Sequence, residues 1–119
     1  MLFGTIRTVL AGAAPVTAIC GQNIDSLVRP QAVALPSVTV QAIAVTPING
    51  INGWYGLDGN LAQLDSWAAT YTQAHELAAA CRTAMQDAGH TMESEFDNYD
   101  PAAELAGVYR VTQEYSVWV

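Results

Sequence analysis

The segment from Gln63 to Met85 constrains this chain most, because it runs an alternating strand straight into a helix whose start is marked. Gln63, Asp65 and Trp67 alternate with Leu64, Ser66 and Ala68, the two-residue period of a strand that shows a different character on each face. Thr70 with Gln73 three positions later forms a capping box, which predicts a helix over Thr70 to Ala88. Tyr71, Ala74, Ala78, Cys81, Met85 and Ala88 recur at helical spacing, with Leu77 and Ala84 beside them. Gln73, Glu76, Arg82, Gln86 and Asp87 face outward. This small-residue stripe suits close packing on a sheet, and Gly89 supplies the left-handed stop.

The rest of the chain fits around that unit. Leu2, Ile6, Val9, Leu10 and Ala13 predict an amphipathic helix over residues 1 to 14, stopped by Pro15, which also permits a short second turn from Val16 to Ile19. A short extended piece follows near Ile24 to Val28, and Arg29-Pro30 and Leu35-Pro36 frame a loop. Ser37 to Thr46 reads as a strand with Val38, Val40, Ala42 and Ala44 on one face and Thr39, Gln41, Ile43 and Val45 on the other. Pro47 to Asn60, rich in glycine and asparagine, reads as a long flexible connection between antiparallel strands, carrying Trp54 and Tyr55 as aromatics suited to a partner. Thr91 to Asn98 reads as an edge strand with Glu93, Glu95 and Asp97 on one face. The last strand, Val108 to Val119, sets Tyr109, Val111, Tyr115, Val117 and Val119 against Arg110, Thr112, Glu114, Ser116 and Trp118. The expected fold is α+β, in the order α-β-β-β-α-β-β: an antiparallel sheet of about four to five strands packed against two helices in a single domain over residues 1–119.

Charge narrows the function. The chain has no lysine and only four arginines against eleven carboxylates, a formal net charge of −7, so it lacks the basic stripe that phosphate binding requires. An apolar share of 51% excludes a disordered chain and, with few charges, suits a subunit that buries surface against partners. Cys20 and Cys81 stand far apart without metal-ligand spacing and read as small buried hydrophobes in a reducing compartment. Arg7 lies inside the N-terminal apolar run and Ile19 precedes Cys20, so this segment reads as a mature helix of a protein made in the cytoplasm rather than a leader.

Catalytic and metal-binding patterns are not found. His75-Glu76 lacks a second histidine four residues on and reads as a solvated helix edge. His90, Glu93, Glu95, Asp97 and Asp100 form the densest set of oxygen and nitrogen ligands, but their alternation suggests a charged edge, not a cage. No serine sits in a nucleophile elbow, and neither histidine has a local motif that would make it a base for a cysteine. The reading is a protein without catalysis, cofactor or metal.

The run Gln63-Leu64-Asp65-Ser66-Trp67-Ala68-Ala69-Thr70-Tyr71, followed by Ala74, Leu77 and Ala78, resembles the strand-to-helix core of the tail completion proteins of long-tailed bacteriophages, also called tail terminators or head-to-tail joining proteins. Ala14-Pro15-Val16, Gly21, Ile24, Leu35-Pro36-Ser37-Val38 and Gly107-Val108-Tyr109-Arg110 extend the likeness along nearly the whole chain. The resemblance implies a structural virion protein at the head-proximal end of the tail. Such a protein caps the tail tube as a ring, usually hexameric, ends tube growth, docks to the head connector or adaptor, and lets DNA pass as cargo through its lumen. Alternatives are another tail or connector component, such as a tube or adaptor protein, and a small acidic monomeric binding domain. Candidate assembly contacts are Trp54 and Tyr55 in the connection and Gln63, Asp65 and Trp67 on one strand face.

Overall fold

The capping signal at Thr70 is realised in a computed structural model, which describes residues 2–26, 36–100 and 108–118. Thr70 is in extended backbone and its side chain accepts from the Gln73 amide at 3.2 Å, opening a helix over Tyr71–Asp87. That helix closes at Gly89, whose φ of +90° allows two bonds, Gly89 N–H to Gln86 C=O and His90 N–H to Met85 C=O. These are the paired bonds of a Schellman stop.

Among the described residues the elements are α1 (Leu2–Ala11), α2 (Ala14–Cys20), β1 (Ile24–Ser26), β2 (Ser37–Gly50), β3 (Gly53–Ala68), α3 (Tyr71–Asp87), β4 (Thr91–Asp100) and β5 (Val108–Trp118). The fold is α+β, a mixed five-stranded sheet in the order β1-β2-β3-β5-β4. The short turn after Pro15 is a full helix, α2, set at 90° to α1. Every neighbouring pair is antiparallel except β1–β2, which is parallel. The expected loops at 29–36 and 100–101 fall wholly or partly outside the described residues, as does Val119.

All three helices pack on one sheet face. Ile6, Leu10, Val16 and Cys20 join Val38, Val40, Leu64, Leu77, Cys81, Met85, Tyr115 and Val117 in one buried cluster. The small stripe of α3 lets it lie close to the sheet: Ala74 and Ala78 meet Ala68 and Val111 in a second cluster. No single helix among the described residues is long and apolar enough to cross a membrane.

Besides the full helix α2 and the parallel β1–β2 pair in a sheet expected to be antiparallel, three features differ from the sequence expectation. Residues 47–60 are not an irregular connection: β2 runs to Gly50 and β3 begins at Gly53, with only Ile51 and Asn52 between. Gly53 takes a positive φ, +104°, at the tight turn, and the strands on either side are held as a ladder by backbone bonds. Secondly, register shifts between Ala42 and Ala44, so that Val45 pairs with Asn60 and Ala44 with Leu61. The extra residue inverts the alternation beyond it. Thirdly, a shift between Met92 and Ser94 separates Glu93 from the face shared by Glu95 and Asp97.

The ladder makes the molecule long, 54 × 29 × 24 Å. Among the described residues β5 joins β3 only from the Gly59–Trp118 pair inward, and β1 covers β2 only at Val38, Thr39 and Val40. Beyond those pairs, β2 and β3 stand as a two-stranded arm.

Candidate assembly surface

The sheet face away from the helices holds three of the five candidate contacts in a polar grid. Register sets Ser37, Trp67 and Arg110 in one row, Thr39, Asp65, Thr112 and Phe96 in the next, and Gln41, Gln63, Glu114 and Ser94 in a third. The Thr112 hydroxyl donates to Asp65 Oδ1 at 2.6 Å and Gln63 Nε2 donates to Oδ2 at 2.9 Å. Trp67 Nε1 donates to Thr39 Oγ1 at 3.0 Å, and the Arg110 guanidinium lies 5.2 Å from the centroid of the Trp67 ring. Asp65 is only 6% exposed, whereas Gln63 and Trp67 are half-buried. The carboxylate therefore fixes the strands from beneath, and Gln63 and Trp67 are what the face presents. Phe96 adds an exposed ring to it.

Thr39, Thr112 and Arg110 are absent from the sequence-based set. Arg110 and Thr112 share an alternation face in the last strand, but only the register reveals that they flank Trp67 and Asp65. Trp54 and Tyr55 lie on the β3 side of the arm, where the backbone is described and the side chains are not.

The helix-side polar groups form a separate, internal system. Tyr115 Oη donates to Gln113 Oε1 at 2.8 Å, and Gln113 Nε2 donates both to the Ala78 carbonyl at 3.0 Å and to Glu95 Oε1 at 2.7 Å. Gln113 is fully buried, so its amide is spent joining β5 to α3 and β4. His75 is not a plain solvated edge, since its Nε2 lies 3.1 Å from Asp97 Oδ1 and its ring 4.4 Å from that of Tyr71. Glu93 accepts from Ser116 at 2.7 Å on the open face. Glu93, Glu95 and Asp97 are thus engaged one by one rather than converging. Burial, then the neighbouring Cys20, pushes the Cys81 thiol up to about 12, with the Ser66 hydroxyl acting against it, which makes Cys81 an inert core side chain at neutral pH.

With a helix-backed sheet, a polar open face and a projecting arm in place, relatives discriminate among the readings. The sequence matches the family described as Tail completion protein gp17 over residues 4–119. The chain belongs to that family. It is a structural protein of the phage-type tail and resides in the virion. No curated protein matches it. Among solved structures, a chain described as "Virion of native gene transfer agent (GTA) particle" superposes with a TM-score of 0.71 at 18% identity, covering 97% of this chain and 91% of that one. At that identity the likeness carries the fold, and the family match carries the tail assignment.

Within this tail completion protein, the strand-to-helix unit that carries the resemblance contributes to both sheet faces. Leu64, Ser66 and Ala68 turn to the helices, while Gln63, Asp65 and Trp67 stand on the open face.

Proposed function

We propose that this chain assembles as a ring, hexameric by the family resemblance, on the last ring of tail-tube subunits, ending tube growth and offering the surface that docks to the head connector or adaptor. The observation that supports this most directly is the arm of β2 and β3 in a member of a tail completion family. A two-stranded hairpin is marginal in water by itself, so an arm that leaves its sheet is suited to burial against a partner. Trp54 and Tyr55 are the proposed tube contacts, and the face of Gln63, Asp65 and Trp67 is a proposed contact between subunits. The role is non-catalytic and needs no cofactor. DNA passes as cargo through the lumen, since a chain of net charge −7 repels a phosphate backbone. The same geometry suits another tube or adaptor component, and the tube-capping experiment separates the two.

Purified protein at micromolar concentration, weighed alone and after mixing with tail tubes, is expected to form a ring that binds tube ends and stops elongation. Trp54→Ala is expected to keep the thermal midpoint of the parent and to bind tube ends more weakly. A chain that stays monomeric in the presence of tubes would sink the capping role and favour an acidic monomeric binding domain.

A further inference from the structure

Resting on the ring reading above, we infer that the free edge of β2 over Gln41 to Thr46 is the seam of the ring, and that the β4 edge of a second copy of this chain pairs with it as an added strand.

The two edges of the sheet are built differently. From Pro30 to Leu57 the chain has no Asp, Glu, Arg or Lys, although the whole carries −7. That run includes all of β2. Among the described residues β1 guards β2 only to Val40, and beyond it Gln41, Ala42, Ile43, Ala44, Val45 and Thr46 are all exposed, Val45 at 55% and Ile43 at 43%. A long, uncharged, β-branched edge is what soluble monomers avoid, because its unpaired N–H and C=O groups template another strand. Pro47 has no N–H, so the template ends at Thr46.

The opposite edge, β4, is acidic, yet Glu93, Glu95 and Asp97 are turned back onto their own chain. Glu93 is held by Ser116, Glu95 by Gln113, and Asp97 lies against His75. Pairing β4 with another β4 sets carboxylate rows side by side. Pairing β2 with β2 avoids charge but leaves both acidic edges open and stops at two copies. β2 on β4 opposes no like charges and covers both the uncharged and the acidic edge, and as a head-to-tail contact it repeats from copy to copy, as the ring requires. Net like charge between copies also favours the one uncharged edge as the place where they approach.

The test is Val45→Glu, which sets a further carboxylate against the acidic β4 edge at a position that carries no core packing. It is expected to keep the parent's thermal midpoint and to weaken ring formation by at least about tenfold, read by mass at graded concentration. Val45→Thr, β-branched and uncharged, is expected to assemble like the parent. Hydrogen exchange of the parent is expected to slow at residues 41–46 and 91–97 when the ring forms. A ring with unslowed exchange at 41–46, or full assembly of Val45→Glu, overturns the seam while the ring reading stands. Slowing at 41–46 without slowing at 91–97 overturns β4 as the partner strand. A parent that forms no ring, alone or on tubes, removes both.

Discussion

Asp65 shows how much of the open face depends on one carboxylate. Both of its oxygens are engaged, by Thr112 and by Gln63, and it is buried on the sheet face away from α1, α2 and α3. Asp65→Ala leaves two donors short of an acceptor, and the expected loss is about 1–3 kcal/mol for each donor that stays buried. Asp65→Asn, which keeps one acceptor oxygen, is expected to lose less. Denaturant midpoints at constant slope measure both, and an unshifted midpoint for the alanine variant would mean that water replaces the carboxylate at no cost. That Gln63, Asp65 and Trp67 share a face was legible from alternation alone. Their partners were not, because Trp67 reaches Thr39 over 28 positions and Thr112 reaches Asp65 over 47. Long-range register decides those contacts, and a local pattern does not contain it.

At the scale of elements, legibility follows how local the cause is. α3 was readable to within a residue at each end, since its start rests on Thr70 and Gln73 and its end on Gly89. Thr70→Ala is expected to cost about 1 kcal/mol, with Thr70→Ser recovering most of it. A fall of a few degrees in thermal midpoint is the corresponding signal, and no fall would place the helix start under tertiary control. The bulges at Ala42/Ala44 and Met92/Ser94 were not readable, because one extra residue leaves composition and propensity untouched. The same holds for the parallel β1–β2 pair, which depends on a connection rather than on either strand. The arm was not legible for another reason: glycine and asparagine content suggests a loop throughout, whereas β2 and β3 pair up to Gly50 and Gly53 and the positive φ of Gly53 serves the two-residue turn at Ile51 and Asn52.

For the whole molecule, charge and shape act together on assembly. Each copy carries −7, so bringing copies into a ring raises a like-charge cost that grows with every subunit added. The uncharged stretch that forms β2 and, but for Asp58, the arm lets contacts form with little addition to that cost, but it does not remove repulsion between the bodies. Salt screens such repulsion over about 8 Å at physiological ionic strength and over about 30 Å at 0.01 M. Ring formation is therefore expected to strengthen as salt rises from about 0.01 M to 0.15 M, the reverse of an interface held by ion pairs. Sedimentation across that range reads the dependence directly. If assembly weakens with salt, complementary charges bridge the subunits, and the four arginines, Arg110 against Trp67 among them, become the residues that hold the ring together.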